Sequence, residues 1–195
     1  MLEECLEKQT SPEGLNVGAS RDSGLYLRNL KNGHVKLRFQ GDDPSIPVYG
    51  HKLSAEFWKD EKRQGGQLSV NEKNCVGSDA CSIAIQKCSE RYHHIAEIDL
   101  SAVNAAKISE SRFIAVYSPT DDLPVNKCHF EIQSEDSTVT GMQVLQCLLD
   151  DPFPECKSLP NNELEKQKAL DAFESFNAII KIRCSVYPRE VPKTG

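Results

Sequence analysis

Residues 24–39, GLYLRNLKNGHVKLRF, alternate apolar and polar side chains on either side of Asn32-Gly33. A period of two suits a strand with one buried face and argues against an amphipathic helix over the same residues. Asn-Gly supplies the positive φ of a two-residue turn, so the stretch is expected to form a β-hairpin.

The same alternation returns in HHIAEIDL, where Ala96, Ile98 and Leu100 share one side. In CHFEI, Cys128, Phe130 and Ile132 oppose His129 and Glu131. RFIAVYS at 112–118 is apolar on both faces and reads as a central strand, QLSV as a short strand, and the β-branched AIIKIRCSVY as a last one. HKLSAEFW is amphipathic, with Leu53, Phe57 and Trp58 seeking burial.

Helical spacing appears in three places. Ser78 or Asp79 can cap a helix through ACSIAIQKCSERY, with Cys81, Ala84, Ile85, Cys88 and Tyr92 on one face. TGMQVLQCLLDD carries a second stripe, ended by Pro152. Residues 161–176 form a third, with Leu164, Ala169, Leu170, Phe173 and Phe176 inward; that stripe could equally serve dimerisation, so oligomeric state stays open. The elements add up to an α+β fold: a mostly antiparallel sheet of five or six strands with about three helices packed on one face. Residues 22–188 form the single domain. Residues 1–21 are expected to be a partly mobile arm, because TSPEGLNVGASRDSG is rich in turn formers, and 189–195 a tail.

Composition narrows the function classes. A formal charge of −6, from 29 acidic and 23 basic residues without long blocks, leaves no overall footprint for nucleic acid. A single tryptophan and 7% aromatic residues give no ladder for stacking single-stranded bases. Arg28, Lys31, His34, Lys36 and Arg38 are the one local basic group, and on a strand they read as its solvated side. No run approaches the length of a membrane helix, and the acidic start MLEECLEKQ is unlike a signal peptide, so a cytoplasmic protein is expected. The eight cysteines then read as reduced thiols, mostly small core residues.

Three constellations could carry chemistry. His51, His94 and His129 each stand at an element edge near a hydroxyl or carboxylate, and imidazole is suited to acid–base work at neutral pH. Glu97 and Asp99 share a strand face that Glu131 could join, a surface for a basic partner, while Arg38 and Arg112 could hold an anion. Cys75, Cys81, Cys88 and His93 are the nearest approach to a metal set, but their spacing lacks the close knuckles of zinc sites. No nucleophile elbow or phosphate-cradling loop is present, and Cys128 and His129, as strand neighbours, point apart.

Two classes of function remain. The first is an interaction or regulatory module that binds a protein partner through the polar sheet face and loops. The second is a metal-independent transferase or hydrolase acting on a nucleotide or phosphorylated substrate, with the three histidines as acid and base. Neither requires a cofactor.

Overall fold

The computed structural model describes residues 2–12, 14–31, 35–38, 50–53, 67–86, 92–108, 111–121, 125–135, 171 and 175–184. The strands are β1 (Ser20–Arg21), β2 (Leu25–Lys31), β3 (Val35–Arg38), β4 (Gly50–Leu53), β5 (Leu68–Glu72), β6 (Tyr92–Asp99), β7 (Phe113–Tyr117), β8 (His129–Ser134) and β9 (Lys181–Cys184). The helices are α1 (Leu2–Glu7), α2 (Lys73–Val76), α3 (Asp79–Ile85) and α4 (Leu100–Ala105), with a further helical stretch at 175–179. Seven strands form one sheet in the order β1-β7-β8-β5-β2-β6-β9, and β3 and β4 form a second of two strands; every pair is antiparallel.

The α+β class and the antiparallel sheet are as expected, with a strand count above five or six. The hairpin is a correction. β2 pairs with β6 along its length and with β5 at Tyr26 and Leu27, while β3 pairs with β4 in the other sheet. Long-range partners captured β2, overriding the local turn preference; Asn32-Gly33 itself lies outside the described residues.

Alternation along the strands divides the side chains between two faces. Tyr26, Leu30, Val70, Ala96, Ile98, Phe113, Ala115, Phe130 and Ile132 line one, packed with Leu100 and Val103 of α4 and with Phe176 and Ile180. Phe130 is at its centre, edge-on to Tyr26 at 5.4 Å between ring centroids and tilted against Tyr117 at 5.1 Å. Leu27 and Ile95 point the other way, into a second cluster built with Cys5 of α1, Cys75 and Val76 of α2, and Cys81, Ile83 and Ile85 of α3. The helices therefore divide between the two faces instead of sharing one.

Helix ends follow the local chemistry. Ser78 caps α3 by accepting from the Cys81 amide at 3.2 Å, and Asp99 caps α4 by accepting from the Ala102 amide at 3.1 Å. α3 stops at Ile85, well before Tyr92, which already belongs to β6. The stripe at 141–150 and most of the helix expected at 161–176 lie outside the described residues. No described helix is long and apolar enough to cross a membrane.

The N-terminal residues are built into the fold. Cys5 is 3% exposed, Gln9 accepts from the Lys127 amide at 3.0 Å, and Ser20 and Arg21 add an edge strand against β7. The cysteines depart furthest from expectation. Cys5 is bridged to Cys81 and Cys75 to Cys128, across sequence separations of 76 and 53 residues. By the chain-entropy reckoning, loops of that size make each bridge worth about 4 kcal/mol.

Candidate functional site

The second face of the sheet carries an unusual share of polar groups. Asn29, Ser69, Asn71, Glu97, His129 and Glu131 are linked by direct strand register: Asn29 opposite Ile95, Leu27 opposite Asn71 and Glu97, Asn71 opposite His129, and Ser69 opposite Glu131. The expected polar face exists, but much of it is closed. Asn29 and Asn71 are 1% and 0% exposed, both held against α3 by Ser82.

Under that cover the polar groups satisfy one another. Ser82 of α3 donates its hydroxyl to Asn29 Oδ1 at 2.9 Å and receives the Asn71 amide at 3.1 Å, while Asn29 Nδ2 donates to the Ser82 carbonyl at 3.0 Å. Asn126 donates to Asn71 Oδ1 at 2.7 Å and accepts from the Cys128 amide at 3.1 Å. A buried network satisfied in this way fixes how α3 sits on the sheet.

Toward β8 and β7 the character of the face changes. Gln67, Ser69, Ile114, Val116, Ser118, Glu131 and Gln133 are all half-buried. Ser69, Glu131 and Val116 lie in one row across three strands, and Gln133 opposes Ile114 and receives the Gln67 amide at 3.0 Å. The described contacts of α1, α2 and α3 concentrate instead on one another, on β2 and on the end of β5.

His129 stands between the two regions at 8% exposure. Its Nδ1 lies 2.5 Å from the Ser118 carbonyl and its Nε2 lies 2.6 Å from Ser69 Oγ, a diagonal neighbour across β5 and β8. A carbonyl only accepts, so Nδ1 carries the proton and Nε2 presents a lone pair to the Ser69 hydroxyl. Burial holds the imidazole below its ordinary pKa; the Ser118 carbonyl and Glu131 oppose that shift, and Arg28 adds to it. Behind the pair, Arg28 donates to the Ser69 carbonyl at 2.5 Å, beyond the point where β2 and β5 cease to pair.

The other sequence candidates do not gather here. His94 opposes Leu30 on the apolar-core side of β6, whereas His129 is on the second face three strand intervals away, about 14 Å at the usual spacing. His51 is on β4, in the separate sheet, and its side chain lies outside the described residues, as do those of Arg38, Cys88 and His93. Glu97 shares the face of Glu131 at the same three-strand separation and pairs with Lys73. Asp99 serves as a helix cap.

Arg112 is paired with Asp22 at 2.7 Å, with both side chains largely exposed. It lines a cavity of about 670 Å³ with Asn104, Lys107 and Phe113, at the opposite end of β7 from Ser118. Cys75 and Cys81 are engaged in disulfides, and no cluster of three metal-ligating side chains occurs among the described residues. In the sequence, Ser69 in QLSVN has no glycine turn around it and so lacks the form of a nucleophile elbow. Its partner becomes visible only through the β5–β8 register.

No protein-family model, curated protein or solved structure matches the chain.

Proposed function

We propose that this chain is a partner-binding module, engaging a protein through the half-buried face of β5, β8 and β7. One observation carries the reading. Helices α2 and α3 pack on the part of the polar face near β2, whereas the row Ser69–Glu131–Val116 and the flanking Gln67, Gln133 and Ile114 keep partial exposure and mix apolar with polar groups. Such a mixture, with one carboxylate at its centre, suits a protein surface of complementary shape carrying a basic or amide group.

The two disulfides bear on the setting. Bridges of this kind persist in oxidising compartments and are rare where glutathione keeps thiols reduced, which favours a secretory or extracellular location over the cytoplasm. Rigid stapling of the domain also lowers the ordering cost of binding on the remaining face.

The test uses the oxidised full chain as bait for secreted and cell-surface proteins, beside Val116→Glu and Glu131→Lys variants. A captured partner should lose at least about tenfold in affinity, about 1.4 kcal/mol, with either variant while the melting temperature is retained. Equal capture by both variants would place any interface elsewhere and refute this reading.

A further inference from the structure

The bond between Ser69 and His129 has a geometry that binding alone does not require. A nucleophilic serine needs a base within hydrogen-bond reach, and that base needs a third group to hold its tautomer and orientation. Here the base is His129 Nε2 at 2.6 Å, and the orienting group is the Ser118 carbonyl at 2.5 Å on Nδ1. The relative burial also suits the roles. His129 is nearly enclosed at 8% exposure, whereas Ser69 is only half-buried and keeps part of its surface exposed.

We propose that Ser69 is a nucleophile activated by His129 for acyl transfer from small carboxylic esters. Ser69 Oγ attacks the ester carbonyl carbon as its proton passes to His129 Nε2. The tetrahedral intermediate collapses, the bond to the alkoxy group breaks, and His129 returns the proton to the departing alcohol. Water then attacks the acyl-serine, giving its proton to His129 Nε2. Collapse releases the carboxylic acid and restores the Ser69 hydroxyl with the proton from His129.

Two charged groups bear on the base. Arg28, from β2, disfavours the imidazolium, and Glu131, on β8 itself, favours it. Arg28 also donates to the Ser69 carbonyl, which pins the strand at the nucleophile.

The probe is a fluorophosphonate, which serine attacks with loss of fluoride, applied to the oxidised full chain. Hydrolysis of 4-nitrophenyl acetate is followed in parallel. The expected result is a single adduct on the peptide containing Ser69, absent in Ser69→Ala, and formed at least about 100-fold more slowly in His129→Gln. Labelling should also decline in acid as His129 gains its proton. Ser69→Cys provides a check independent of the phosphonate: iodoacetamide should alkylate position 69, and more slowly once His129→Gln is added. The absence of any Ser69 adduct in folded protein, or equal labelling rates with and without His129, would overturn the proposal whatever becomes of partner binding.

Discussion

Asn126 donates its side-chain amide to Asn71 Oδ1 at 2.7 Å, and both side chains are closed off from solvent. Asn71 passes the chain on through its own amide to Ser82, so one residue joins the 125–135 segment to α3. Asn71→Ala strands the Asn126 amide and removes a donor from Ser82. A loss of about 2–4 kcal/mol is expected, measured by urea unfolding, whereas a purely surface asparagine would change stability by about 0.5 kcal/mol or less.

Reduction should affect stability on a similar scale. The Cys75→Ser, Cys128→Ser double variant removes a bridge closing a 53-residue separation and is expected to unfold about 4 kcal/mol more easily. A thiol count checks the same point directly. In denatured but unreduced protein, at most four of the eight cysteines should react with maleimide. A count of eight would return the chain to the reduced state expected from its sequence.

The buried imidazole of His129 makes stability depend on pH. Its folded pKa lies below the ordinary value, so between that value and about 6.5 the unfolded chain binds more protons than the folded one. This contribution to stability is complete above about pH 6.5 and is lost as pH falls through the folded pKa. Unfolding free energies of the wild-type chain should drop over that interval more steeply than those of His129→Gln. Identical slopes would show that His129 is solvated.

Gly24 has a specific steric reason to be glycine. Its φ is +122°, and a Cβ would stand 3.2 Å from the ring and hydroxyl of Tyr26, itself fully buried. The Gly24 carbonyl also accepts from the Leu100 amide at 3.0 Å, tying the start of β2 to the start of α4. Gly24→Ala is expected to cost about 1–3 kcal/mol in thermal or chemical unfolding, through backbone strain and a displaced ring.

The strands were legible wherever one face is apolar. Phe130 and Ile132, or Ala96 and Ile98, recur at a spacing that only a strand turns toward a single core. The chemistry was less so. His129 could be placed on the polar side of β8 from alternation alone, and the structure puts it there, but polar proved not to mean solvated. Ser82 of α3, which closes over Asn29 and Asn71, is 53 residues from Asn29 in sequence, and nothing local announces its arrival. Helix α4 follows β6 without a break because Asp99 closes a strand and caps a helix at once, and LSAVNA has too few residues to display a helical stripe.

Alternation and capping are short-range properties, readable over a few residues, and by themselves they determined the antiparallel α+β class, most strand positions and, in β6 and β8, the side that meets the large core. Tertiary structure decided the rest, because the deciding partners are distant in sequence. β6 took the edge of β2, Cys81 found Cys5 across 76 residues, and Ser69 met His129 across 60. Such pairings depend on register and packing between elements, which a linear pattern of residue types does not encode.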